Sequence, residues 1–263
     1  MYEYFCALII GIVEGLTEYI PVSSTGHLIL TGHMLGFTGP KADVFEVFIQ
    51  LGAILSVVMV YREKFIFMVR RENWMKRHGA SCRNIAIAML PALAVGYALH
   101  GFIKGYLFST GTVIAGLIIG GIFMMAAEKF HRPFAVKDVD LITGRQAFQI
   151  GLFQCLSLWP GFSRSGSTIS GGLLLGISRK ASADFSFIMA VPLMCIACVY
   201  DLLKIADQLT TEDVGIFALG FLTSFAVAYV SILWFLKFLN HSTLTAFAYY
   251  RFAVAAVALL YFQ

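Results

Sequence analysis

Apolar residues run along this chain in six long stretches, at 44–61, 84–100, 108–127, 184–203, 214–237 and 244–262, parted by polar or charged turns. An α-helix needs about 20 apolar residues to cross roughly 30 Å of hydrocarbon, so each stretch is predicted to be a transmembrane span. Two further regions, about 4–36 and 145–176, are apolar but interrupted. The first breaks at Pro21 and the second at Pro160-Gly161, and each resumes through a Ser/Thr-rich turn. A helix that enters, breaks and leaves again is a re-entrant hairpin. Broken backbone at membrane depth is tolerated only where it is buried in protein or lines a wet cavity, so function is expected at these two breaks.

The broken regions align at a constant offset of 140 residues. Gly11 falls on Gly151, Glu14 on Gln154, Leu16 on Leu156, Thr17 on Ser157, Ser23 on Ser163, Thr25 on Ser165 and Gly26 on Gly166; Leu35-Gly36 falls on Leu175-Gly176 and Phe45 on Phe185. The next three spans recur in the same order. The expected fold is an all-α polytopic membrane protein of two repeats, 1–127 and 145–263, joined by a linker at 128–144. Each repeat is a hairpin plus three spans; three is odd, so the second would be inverted relative to the first. Chance likeness between apolar stretches is the competing explanation, and the ungapped offset and shared Ser-x-x-Gly speak against it.

Composition agrees with lipid as the solvent: 59% of the 263 residues are hydrophobic and only 13% charged, with a mean hydropathy of +0.81. A soluble domain of this size has too much surface to hide that much apolar material. The net charge of +4 matters less than its distribution. Residues 62–83 carry Arg62, Lys64, Arg70, Arg71, Lys76, Arg77 and Arg83 against Glu63 and Glu72, and the excess of Lys and Arg marks a cytoplasmic loop. Threading outward puts the linker, Arg179 and Lys180 inside, and Asp207, Glu212, Asp213 and both chain ends outside. The first hairpin then enters from the outer face and the second from the inner, their tips meeting near the midplane. The start, Met1-Tyr2-Glu3-Tyr4, lacks the basic region of a cleaved signal, so it is expected to be retained. Cys195 and Cys198 have CxxC spacing but no second ligand pair, which favours helix packing over redox or metal chemistry.

The candidate chemistry sits in the hairpins. Glu14 and Glu18 are four apart and share one helix face. Carboxylates inside a membrane are costly, and hard oxygen ligands suit Mg²⁺ or Ca²⁺; a hydrogen-bonded pair with one member protonated is the bland alternative. Beyond Pro21, Ser23, Ser24 and Thr25 are good helix caps, and a helix N-terminus there suits a phosphate. His27, one turn after Ser24, makes a hydroxyl–imidazole pair capable of nucleophile and base roles. In the second hairpin Arg164 offers a planar fork that fits phosphate oxygens, among the hydroxyls of Ser163, Ser165, Ser167 and Thr168; the alternative is a plain ion pair with Glu14 or Glu18. Gln50 and Gln154 are candidates to line the cavity. Tyr19 and Trp159 are expected to pack at the breaks, Arg251, Asp184 and Asp201 to snorkel or pair, and His33, His100 and His241 to sit at interfaces. No Walker A loop, HExxH or GxGxxG in strand–helix context is present, so nucleotide and zinc chemistry lack support and no nucleic-acid partner is expected.

Glu14-x-x-x-Glu18, Pro21-Val-Ser-Ser-Thr-Gly-His27 and Pro160-Gly-x-Ser-Arg-Ser-Gly166 resemble the undecaprenyl-diphosphate phosphatase, or bacitracin-resistance, family over essentially the whole chain. The resemblance implies an enzyme of the bacterial inner membrane, active on its periplasmic side, that removes the terminal phosphate of the C55 polyprenyl diphosphate carrier of cell-wall synthesis. It implies a divalent cation at Glu14 and Glu18, Ser24 and His27 as the catalytic pair, Arg164 as phosphate binder, and Ser23, Thr25, Ser163, Ser165 and Thr168 lining the site. The acid-phosphatase-like lipid phosphatases are excluded: they need a His and an Asp after their Arg where this chain has Ser170 and Leu174. Inverted repeats with broken helices are also a transporter plan, so a carrier of the polyprenyl phosphate is the alternative function; a small-anion channel fits poorly with a carboxylate pair. Membrane lipids are the expected surroundings, and a homodimer is left open.

Overall fold

A computed structural model describes residues 1–205 and 213–262 of the chain; Asp207, Glu212 and Gln263 lie outside the described residues, as does the side chain of Asp201. Among the described residues there are twelve α-helices: α1 (Tyr2–Thr17), α2 (Ser24–Met34), α3 (Pro40–Val60), α4 (Arg62–Val69), α5 (Cys82–Ala98), α6 (His100–Tyr106), α7 (Thr110–Phe130), α8 (Gly144–Gln154), α9 (Arg164–Leu174), α10 (Arg179–Ile205), α11 (Val214–Leu239) and α12 (Thr245–Tyr261). Three short 3-10 turns and two isolated β-bridges, His78 with Thr143 and Val136 with Ile177, accompany them among the described residues. The protein is all-α.

Four helices, at Pro40–Val60, Thr110–Phe130, Arg179–Tyr200 and Val214–Leu239, are long and apolar enough to cross a membrane. The apolar stretch expected to run unbroken over 84–100 instead starts at Cys82, where Ser81 caps the helix by accepting from the Asn84 N–H. It stops at Leu99, which leaves the helical region before the short α6 begins at His100.

The two broken regions are helix pairs. α1 packs on α2 and α8 on α9. α2, α8 and α9 have 11 residues each; at 1.5 Å per residue that is about 16 Å, roughly half a hydrocarbon core. α11 fills the space between α1 and α3, α8 lies on α5, and α12 lies on α7. Apolar burial gives little drive between helices in lipid, so close backbone approach has to supply the contact. Small residues allow it here: a Cβ at Gly15 of α1 would lie 2.8 Å from the backbone of Ala228 and Ser224 on α11. Beneath both breaks a buried cluster gathers Tyr19 and Val22 from the first, Ile169 and Leu173 from α9, Phe187 from α10, and Ile232 and Phe235 from α11.

The basic loop at 62–83 is tied to the linker. Lys64 pairs with Asp140 at 2.5 Å, and the Asn84 amide donates to Gly79 O at 2.9 Å and Ile142 O at 3.4 Å. Asp184 accepts from the Tyr61 hydroxyl at 2.6 Å, so it is paired. His33, His100 and His241 are exposed.

Candidate active site

The second helix of each hairpin starts with the same local geometry. Ser23 and Ser163 are the N-caps of α2 and α9, with φ of 74° and 76°. Among the described residues they are the non-glycine residues in the left-handed region, a conformation that costs on the order of 1–3 kcal/mol and persists only where the surroundings over-determine it. Each Oγ accepts the N–H of the glycine three residues on, at 3.4 Å for Gly26 and 3.2 Å for Gly166. The first residues of both helices, Ser24 and Thr25 of α2 and Arg164 of α9, border one space.

That space is a cavity of about 220 Å³, lined by Glu18, Ser23, Ser24 and Thr25 of the first break, Ser157, Trp159, Pro160, Gly161, Ser163 and Arg164 of the second, Gln50 of α3 and Met194 of α10. A chain of polar contacts crosses it. The Ser24 hydroxyl donates to Glu18 Oε2 at 2.5 Å. The other carboxylate oxygen, Oε1, receives Arg164 Nη2 at 3.3 Å. Arg164 Nη1 donates to Ser186 O at 3.2 Å, and its guanidinium stands 5.4 Å from the centre of the Tyr19 ring. Its Nε has no partner.

Other expected site residues sit elsewhere. His27 does not meet Ser24. Its Nδ1 turns back to the Ser23 carbonyl at 2.8 Å and its Nε2 lies 2.9 Å from the Tyr250 hydroxyl. The reason is local: at the start of a helix the nearest acceptor for the imidazole is its own N-cap carbonyl, while Ser24 is drawn to the carboxylate six residues back. Glu14, one turn before Glu18 on α1, is fully buried and both its oxygens lack a partner. Gln154 is fully buried with its amide equally unpartnered, so it does not line the cavity. Ser165 and Thr168 are turned inward: Ser165 Oγ donates to Ile20 O at 3.3 Å, and Thr168 Oγ1 donates to Arg164 O at 2.8 Å and accepts from Ser186 Oγ at 2.6 Å. These two hydroxyls bind the hairpins together and close the first turn of α9 instead of facing the cavity.

The family model described as bacitracin resistance protein BacA matches residues 7–257 of the 263. The chain belongs to the BacA family. This is the undecaprenyl-diphosphate phosphatase family that the hairpin motifs resemble. The BacA match takes in the first hairpin from Ala7, the second hairpin, every cavity-lining residue and α12 as far as Val257.

Within this BacA chain, one residue central to the site was missed. Arg251, expected to snorkel or pair with an acid, does neither. It is fully buried, and its donors reach backbone carbonyls: Nε to Leu117 at 3.0 Å, Nη1 to Phe162 at 2.8 Å and Pro21 at 3.5 Å, Nη2 to Gly116 at 3.0 Å and Gly161 at 2.7 Å. The guanidinium therefore fastens both breaks to α7, and a Cβ at Gly120 would strike it. A lone arginine in the middle of the last apolar stretch was the available signal. Trp159 both lines the cavity and donates to Thr112 O at 2.8 Å, fixing the second break on α7. Met194 carries no sequence signal for such a place.

The donor set around the cavity is oxygen-rich: Glu18, the hydroxyls of Ser23, Ser24, Thr25, Ser157 and Ser163, and the Gln50 amide, which suits a hard divalent cation. Among the described residues no three His, Cys, Asp or Glu side chains gather, so an ion would rely on few protein ligands and on phosphate or water oxygens, the manner typical of Mg²⁺. The unpartnered carboxylate of Glu14, beside Glu18, fits a missing cationic partner.

Proposed function

We propose that this chain is an undecaprenyl-diphosphate phosphatase, hydrolysing the C55 polyprenyl diphosphate to the monophosphate and phosphate for reuse in peptidoglycan synthesis, and thereby conferring bacitracin resistance. The observation that supports this best is the run Ser24–Glu18–Arg164 across one small hydroxyl-lined cavity at the meeting of two helix N-termini. It sets a nucleophile, a proton acceptor and a fixed cation around a space that accepts an anion.

Arg164 and the free N–H groups at the starts of α2 and α9 bind the terminal phosphate and stabilise charge on its oxygens as it transfers. Ser24 Oγ attacks that phosphorus while its proton passes to Glu18 Oε2, its existing partner. The bond to the bridging oxygen breaks, the lipid monophosphate leaves, and the acid returns the proton to it. Water then cleaves the phosphoserine with the same group as base, restoring Ser24 and releasing phosphate. Glu14 and Glu18 are the residues to hold Mg²⁺ or Ca²⁺, which when bound supplies Lewis-acid neutralisation of phosphoryl charge. The apolar tail runs out between spans into lipid.

The architecture we infer is a pair of inverted repeats in the bacterial inner membrane, with the basic loop at 62–83 inside and the cavity opening to the periplasm. The test is phosphate release from a polyprenyl diphosphate by purified protein. Release that stops with EDTA and returns with Mg²⁺ or Ca²⁺ is expected; no release from fully folded protein defeats the reading.

A further inference from the structure

The segment between α3 and α5 is firmly folded yet leaves apolar side chains in the open. α3, long and apolar enough to cross a membrane, ends at Tyr61, whose φ of −103° and ψ of 24° are not helical, and α4 begins at the next residue. Side chains cap the last carbonyls of α4. Asn73 Nδ2 donates to Phe67 O at 2.7 Å, the Cys82 thiol to Met68 O at 3.2 Å and Trp74 Nε1 to Val69 O at 3.1 Å. One face of α4 is used inside the protein, where Met68 is buried and Phe65 packs on the same cluster. On another face Ile66 and Val69, three apart, are 54% and 68% exposed, and Met75 is 74% exposed. Apolar groups fixed outward at one place mark a surface that something covers.

Cations are interleaved with these groups. Arg70 and Arg71 follow Val69 directly and are exposed. Lys76 Nζ stands 4.6 Å from the centre of the Phe67 ring. Phe67, Lys76, Arg77 and His78 border a cavity of about 320 Å³, whose acid, Asp140, is already paired with Lys64. A protein partner would have to desolvate these cations along with the apolar groups, which is costly without matched acids. The headgroup layer of an anionic leaflet takes both: phosphates meet the cations while the acyl boundary meets the apolar side chains. Basic clusters at the end of a span are drawn to such lipids, and apolar insertion supplies the second signal that stable anchoring needs.

We propose that the segment from Arg62 to Arg77 is an in-plane anchor for anionic phospholipids of the leaflet it faces, the inner one in the topology inferred above. Ile66, Val69 and Met75 enter the acyl boundary, and Arg70, Arg71 and Lys76 hold headgroup phosphates. The anchor stands apart from the chemistry of the hairpins and does not depend on the phosphatase reading.

Two measurements on the full chain test it. Purified protein is titrated with phosphatidylglycerol, and separately with neutral phosphatidylcholine, and bound lipid is counted by native mass spectrometry. The anionic lipid is expected to bind more tightly, and Arg70→Gln with Arg71→Gln to weaken it about fivefold for each cation removed, at roughly 1 kcal/mol apiece. Phosphatidylcholine binding should not change. Arg132→Gln, at an exposed cation of the linker, is the control; a charge away from the patch is screened, so both affinities should stay within about twofold of wild type. The second measurement takes the fluorescence of wild type minus that of Trp74→Phe in nanodiscs of phosphatidylglycerol with brominated acyl chains, and strong quenching of the Trp74 share is expected. Equal affinity for the two lipids, or an equal loss in Arg132→Gln and the double variant, overturns the anchor. So does an unquenched Trp74, which would stand the patch in water and leave it to a protein partner.

Discussion

The two hairpins have one backbone plan and two different loads of side chains. Both second helices have 11 residues and a serine cap near φ 75°, and both end at a glycine with positive φ, Gly36 and Gly176. Both first helices bury a polar residue with no partner, Glu14 in one and Gln154 in the other. Yet Glu18 and the proposed nucleophile Ser24 are on the first hairpin, and the residue in register with Ser24 on the second is Arg164. The hydroxyls after Ser24 and Arg164 also part ways: Thr25 faces the cavity, whereas Ser165 and Thr168 are spent on internal bonds. Two helix N-termini of like shape border one cavity, and the proposed chemistry is divided between the two hairpins. Neither hairpin holds a complete set of groups.

If the load is divided in this way, the largest effects should come from removing either side of the Glu18–Arg164 contact. Arg164→Ala and Glu18→Ala are each expected to cut phosphate release by about a hundredfold to a thousandfold while the protein still inserts and purifies; ample turnover by Arg164→Ala would show that the second hairpin is only scaffold. The next effect is on stability and falls on both hairpins together. Arg251→Leu leaves carbonyls of both breaks without a donor and is expected to cost on the order of 3 kcal/mol or more, at about 1–3 kcal/mol for each buried group left unsatisfied. It would be read as a lowered unfolding midpoint in detergent. Arg251→Lys should recover little, since an ammonium lacks the planar fork. The smallest effect compares the caps. Ser23→Ala and Ser163→Ala are each expected to cost about 1 kcal/mol, equally in thermal midpoint. A marked inequality would show that the two turns are not energetically alike.

Four of the six expected spans stand as helices long enough to cross a membrane, legible because apolar runs of about 20 residues have few other solutions, while those expected at 84–100 and 244–262 are the shorter helices Cys82–Ala98 and Thr245–Tyr261. The hairpins were legible because a proline followed by a cap signature inside such a run leaves the backbone no other course. The meeting of Arg164 with Glu18 followed from treating the two breaks as partners. What sequence reasoning lost was the direction of individual side chains. Ser24 and His27 are one turn apart, and spacing alone does not show that the imidazole folds back on the Ser23 carbonyl while the hydroxyl reaches Glu18. The unfilled needs of Ser165 and Thr168 looked like binding capacity because their partners, Ile20 O and Ser186, are distant in the chain. Arg251 was misjudged for the same reason: its partners lie on three separate segments and, Met124 Sδ apart, are main-chain atoms.

That last property reaches beyond this chain. Apart from a 3.7 Å contact to Met124 Sδ, the clasp is made to carbonyl oxygens and is indifferent to which amino acid supplies them, so the side chains of Leu117 and Phe162 take no part in those bonds. Among relatives, a substitution correlated with this arginine is therefore expected at Gly120, where a Cβ would strike the guanidinium, and not at the residues that lend it their carbonyls.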